Sequence, residues 1–133
     1  MTHILVPTAP AELIDKLTIL RLKTENITDP PKLENVTREL AILQDIATQK
    51  IASGVALTAL WEELYQINAD LWVIEDDLRA LEAKGDFGPG FVGLARAVYV
   101  TNDERSRVKK EINLLLGSDL VEEKSYTDYR AAP

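Results

Sequence analysis

The residues of this 133-residue chain best equipped for chemistry are carboxylates. Glu12 and Asp15 stand three apart, and Glu75, Asp76 and Asp77 form an acidic run. On a helix an i, i+3 pair shares one face. Aligned helices would let Glu12, Asp15, Glu75 and Asp76 offer oxygen ligands to Mg²⁺ or Mn²⁺, hard cations that need neither histidine nor cysteine. Such an ion would polarise a phosphoryl group and activate water. The plainer reading places Glu12 and Asp15 early in a helix, where acids complement its positive N-terminal end.

A second set of groups suits binding. Trp61, Tyr65, Asn68, Trp72, Glu75, Arg79 and Glu82 recur at gaps of 3 and 4 and share one side of a helix. Ala95, Tyr99, Asn102, Ser106, Lys109 and Asn113 do the same further on, with Arg96 and Asp103 beside them. Asn68 and Asn102 donate and accept hydrogen bonds. Arg79 and Arg96 present planar forks suited to carboxylate or phosphate. Trp72 and Tyr99 add flat apolar faces with polar tips. Together with Glu75 and Asp103 these residues are candidates for a pocket that takes a small anion, such as a nucleotide or sugar phosphate. The competing reading is structural: large amphipathic side chains beside a core seam seal its edge, and Glu75 and Arg79 at i, i+4 pair on the surface.

Four helices must position these groups. The first is expected over Pro10 to Asn26, with Thr8 as cap, and with Leu13, Leu17, Leu20, Thr24 and Ile27 on one face. Ile19 and Leu22 point elsewhere, so this helix is either sandwiched in the fold or meets a second chain. Asp29-Pro30-Pro31 opens the second, with Leu33, Val36, Leu40, Leu43 and Ala47 in register, fading near Ser53-Gly54. Leu57, Leu60, Leu64, Ile67, Leu71, Ile74, Leu78 and Leu81 set a third helix over Val55 to Lys84, about 45 Å long at 1.5 Å per residue. Gly85 stops it, and the stretch Asp86 to Gly90 turns the chain. The fourth begins at Pro89 or Gly90 and ends before Gly117, with Phe91, Leu94, Val98, Val108, Ile112 and Leu115 along its seam. Thr101 and Arg105 interrupt that seam, and a break is expected near Thr101-Asn102-Asp103. Residues 118–133 read as a tail that packs back through Tyr126 and Tyr129. The resulting expectation is an all-α, antiparallel four-helix bundle: one domain, ordered over about residues 8–117. Helices 3 and 4 form a long hairpin, and helices 1 and 2 pack against it.

Composition narrows the functions. With 15 basic and 22 acidic residues the net charge is −7, which argues against nucleic acid as a partner. No cysteine is present, so disulfides and thiol chemistry are excluded, in keeping with a reducing cytoplasm. His3 is the single histidine, which makes a Ser-His-Asp triad improbable. No apolar run is long enough to span a membrane. The segment from Ser53 to Gly88 has eight acidic and two basic residues, and that from Pro89 to Gly117 five basic and three acidic. The opposite signs favour association of helices 3 and 4 weakly. Arg105, Arg107, Lys109 and Lys110 read mainly as a solvated face balancing helix 3.

Two resemblances bear on function. The acidic residues on facing helices are similar to the pattern of the all-α nucleoside triphosphate pyrophosphatases. That family has two acidic i, i+3 pairs, whereas here only Glu12-Asp15 fits, because Leu78 follows three after Glu75 and Arg79 three after Asp76. The stretches Glu12–Leu20, Leu71–Asp76, Ala95–Tyr99, Asn102–Arg105 and Glu122–Tyr126 resemble a small uncharacterised bacterial family of all-helical proteins. That resemblance implies a helical fold and a bacterial source, and supplies no reaction. With no complete catalytic machinery and no required cofactor, the expectation is a non-enzymatic interaction protein of the cytoplasm that associates with itself, as a homodimer, or with another protein. A small-anion-binding bundle and a Mg²⁺- or Mn²⁺-dependent nucleotide phosphohydrolase are the alternatives.

Overall fold

In the computed structural model, which describes residues 2–131, the chain forms four helices. They are α1 (Pro10–Asn26), α2 (Pro30–Lys50), α3 (Val55–Ala83) and α4 (Pro89–Leu115). A 3₁₀ turn, η1 (Tyr129–Ala131), ends the described chain, and no strand occurs among the described residues. The punctuation works as its chemistry requires at most boundaries. Asp29 caps α2 by accepting from the Lys32 amide at 3.3 Å. Gly85 takes φ +68° where α3 stops, a conformation that costs glycine little. At α1 the cap is Ala9, not Thr8, and no side chain serves it; Pro10 occupies the first turn. α4 runs unbroken through Thr101, Asn102 and Asp103.

The five residues after α3 fold α4 back along it, and this is the most extensive helix–helix contact. α1 lies across the base of the hairpin and touches both α3 and α4. Ala11 and Ile14 of α1 join Leu57, Leu64, Val108 and Ile112 in one buried cluster. α2 packs on α1, not on the hairpin as expected. Leu17 and Leu20 are buried outside that cluster, on the side where Lys16 pairs with Glu39 of α2. Helix α1 is therefore sandwiched within one chain. Of the two residues that a second chain was a candidate to cover, Leu22 is only 4% exposed and Ile19 is half-buried.

Burial is uneven along the hairpin. Every buried residue of α3 lies at or before Asn68, and every buried residue of α4 at or after Val108. No residue between 69 and 107 is buried. Beyond α1 the hairpin is two helices thick. Each helix carries an apolar stripe wider than one partner can cover. Leu71, Ile74, Leu78, Leu81, Phe91, Leu94 and Val98 are thus half-buried, and Val73, Phe87, Val92 and Val100 are exposed.

Candidate functional site

Where α1 crosses the hairpin, three helices meet around polar groups. The Asp15 carboxylate is the centre. Its Oδ1 accepts from Asn68 Nδ2 of α3 and from Arg105 Nε of α4, both at 2.9 Å, and its Oδ2 accepts from Arg105 Nη2. The second amide hydrogen of Asn68 goes to Thr18 Oγ1 at 2.8 Å, and that hydroxyl donates to the Asp15 carbonyl at 2.7 Å. One turn away, the Ala11 amide, an orphan donor of the first turn of α1, donates to Asn113 Oδ1 at 2.9 Å. No buried side-chain nitrogen or oxygen among the described residues lacks a partner. The bidentate bond to Asp15 holds the Arg105 guanidinium more firmly protonated than usual, against the opposing cost of burial. A carboxylate this fully engaged cannot serve as a base or an ion ligand without breaking the junction. It fixes the register of three helices.

The carboxylates read as a metal set are not brought together. Asp15 is held by Arg105, and Glu12 pairs with Lys109 at 2.8 Å. Glu75 pairs with Arg79 at 3.6 Å on the exposed side of α3, and Asp76 is exposed nearby. Glu75 lies two helical turns, about 10 Å, beyond Asn68, the α3 residue that meets Asp15. No group of three or more His, Cys, Asp or Glu side chains among the described residues is placed to hold a metal ion.

The ligand candidates are divided as well. Asn68 is spent in the junction, Trp72 is half-buried on the distal hairpin, and Arg96 is exposed. Tyr99, Asn102 and Asp103 do share a groove of about 860 Å³ between α4 and the tail. Its walls also include Ser106, Lys109, Lys110 and Asn113, the polar stripe expected on helix 4. Five basic and five acidic residues line it, which gives no preference for an anion: Arg107, Lys109, Lys110, Lys124 and Arg130 against Glu12, Asp103, Glu122, Glu123 and Asp128.

The tail packs back as expected, through one of the two rings named for it. Tyr129 meets Tyr99 edge-on, with centroids 5.0 Å apart, and donates to Asp103 at 2.7 Å. Arg130 reaches the same carboxylate at 3.3 Å. Tyr126 is 81% exposed. Closer to α4's end, Glu122 bonds Lys109 at 3.3 Å. Burial lowers the proton affinity of Lys109, but the Glu12 carboxylate and the charges of Asp15 and Glu122 raise it further. The bond to Asp103 raises the Tyr129 phenol above its ordinary value.

Arg105 is the functional group that sequence reasoning did not place. The available signal was its position in the apolar seam of α4, where a buried cation demands a carboxylate partner. The basic run it begins is mostly paired: Arg107 binds Glu63, Glu104 and Glu111. The Arg107–Glu63 pair is the one ion pair that joins α4 to α3 among the described residues, so charge contributes little to closing the hairpin.

No helix of the described residues is long and apolar enough to cross a membrane. No curated protein and no solved structure matches the chain. A family model, however, matches residues 4–133, and the chain belongs to that family of unknown function, DUF6165.

Proposed function

We propose that the chain is a helical interaction module that associates with a second copy through the distal half of its α3–α4 hairpin. One observation carries the reading. From Pro89 to Asn102, α4 bears a single charge, Arg96, although α1 and α2 leave this stretch uncovered. A solvated helix ordinarily turns a charged face outward. Here Val92 and Val100 face outward instead, with Val73 of α3 and Phe87 of the turn exposed nearby. Exposed apolar side chains concentrated on one uncharged stretch suit an association surface. Two such hairpins side by side would make four helices and bury both seams. The second apolar face of α1 lends no support, because Leu22 is buried within the single chain. The absence of cysteine suits a reducing cytoplasm, and the acidic balance suits a protein partner better than nucleic acid.

Sedimentation velocity from about 1 µM to 1 mM tests the reading. The expected result is a reversible monomer–dimer equilibrium that Leu78→Glu abolishes while leaving the helical circular dichroism intact. A wild-type chain and tail-anchor variants that all sediment as monomers throughout would overturn it.

A further inference from the structure

The outer stripe of α4 is continuous, but only half of it is open. Val92, Arg96, Tyr99, Asp103, Ser106 and Lys110 follow one another at gaps of 4, 3, 4, 3 and 4 and fall on one line of the helix. The first two belong to the uncovered tip. The rest lie under the tail.

The tail is a strap with few anchors. Gly117, at φ +67°, reverses the chain, and the Ser118 amide closes the end of α4 on the Asn113 carbonyl. Residues 119–130 are all exposed, and up to η1 they form no regular element. Leu120, Val121 and Tyr126 bury little. What holds the strap is Glu122 on Lys109, and Tyr129 with Arg130 on Tyr99 and Asp103. It bridges the groove without filling it. Ordering a dozen residues for so few contacts leaves the cover easily displaced.

We infer that the strap is an intramolecular competitor of a second copy: while anchored it lies along the α4 stripe from Tyr99 to Lys110, and once released it leaves that stretch to the acidic distal part of the partner copy's α3. Charge selects this occupant. Residues 118–130 carry four acids and two bases, so the strap itself sets negative charge on the base of α4. The other strongly acidic stretch outside the base is residues 70–82, with five acids and one base. Release strips Glu122 from Lys109, which keeps Glu12, and Arg130 from Asp103; it takes the strap's net negative charge away from Lys110, which is exposed and makes no ion pair among the described residues, while Arg105 and Arg107 keep their own partners. The freed stripe runs on from Val92 and Arg96, so one partner surface would cover both.

The inference rests on the self-association reading, and full-length Tyr129→Ala separates the two. Removing the ring and its hydroxyl takes away the distal anchor without touching the core. The expected result is dimerisation at least tenfold tighter than wild type by sedimentation velocity, lost again in 1 M salt, with faster trypsin cleavage after Lys124. Tyr129→Phe keeps the ring and should fall between. If wild type dimerises and Tyr129→Ala cleaves faster but dimerises equally or more weakly, the strap does not compete and the hairpin reading alone survives. Tighter dimerisation that ignores salt would overturn the acidic occupant, and unchanged cleavage after Lys124 would overturn Tyr129 as the anchor. If both proteins remain monomers at 1 mM, both ideas fall.

Discussion

The base and the tip of the hairpin are made of the same two helices, yet they are different materials. At the base, α1 lies over α3 and α4, and Leu64, Val108 and Ile112 lose all contact with water. At the tip the same leucine spacing continues through Leu71 and Leu78 without one buried side chain. The difference is the third helix. A 3-4 repeat says that two helices will meet along a line; it does not say how many neighbours will close over that line. Most of the hairpin's contribution to stability should therefore sit in the half that α1 covers.

The largest break in that comparison is Leu64→Ala. Leu64 has no exposed surface and sits in the cluster shared by α1, α3 and α4. Truncation should cost about 4 kcal/mol, from lost transfer energy plus a cavity. The urea midpoint at unchanged slope measures it. A cost under about 1 kcal/mol would mean that the base is no better packed than the tip.

Asp15→Ala should come next, at about 3 kcal/mol. Removing one partner of a buried pair leaves the other uncompensated, and the low end applies because Arg105 keeps about a third of its side-chain exposure to water. Pairing Asp15→Ala with Arg105→Met sharpens the point: the double variant should recover much of the loss, since a hydrophobic replacement of the whole pair is often neutral or better. Strictly additive losses would show that the two residues do not act through each other.

What the sequence made legible follows from these same residues. The helix bounds came from periodicity and punctuation: Asp29, Gly85 and the prolines each act through local chemistry, so no tertiary knowledge was needed. The leucine face of α1 was visible because Leu13, Leu17 and Leu20 repeat at helical spacing, and it lies on the side of α2. The face that meets the hairpin is Ala11, Ile14, Thr18 and Leu22 with Asp15 beside it, and its polar members broke the pattern a reader looks for. Asp15 and Arg105 are separated by 90 positions, and nothing local announces that one completes the other. The ligand stripe split for a related reason. Asn68, Trp72 and Arg79 share a line on α3, but α1 meets that line at Asn68 and leaves Trp72 half-buried and Arg79 exposed.

At the tip, Leu78→Ala should cost only about 1 kcal/mol in the isolated monomer, because the side chain is already partly wet. Its larger effect belongs to self-association. Native-state hydrogen exchange at low concentration reads the same contrast without mutation: amides of residues 71–98 should open at lower free energy than those near Leu64 and Val108. Equal protection at both ends would erase the distinction between base and tip. Protection at the tip that rises with protein concentration would place the missing cover on a second copy.

The smallest effect concerns the strap, and pH addresses its two ends separately. Burial raises the Glu122 proton affinity, but Lys109, Glu12 and Lys124 outweigh it, and the net shift is downward. Its contribution is therefore complete above the unfolded glutamate value, about 4.3, and disappears as pH falls through the lower folded value. Tyr129 works in the opposite sense. Asp103 raises its phenol, partly offset by Arg130, so its contribution is complete below about 10 and is lost as pH rises through the higher folded value. Neither change should move the urea midpoint, since both groups are largely solvated. The ring contact of Tyr129 with Tyr99 supplies the readout. Its proton shifts should stay constant through neutral pH and move towards free-tyrosine values above about pH 10. The Lys109 side-chain signals should report release of Glu122 in acid, while the Leu64 and Val108 methyl signals stay native at both extremes. If the two ends let go together at one pH, the strap is a single cooperative unit and the picture of two independent anchors is wrong.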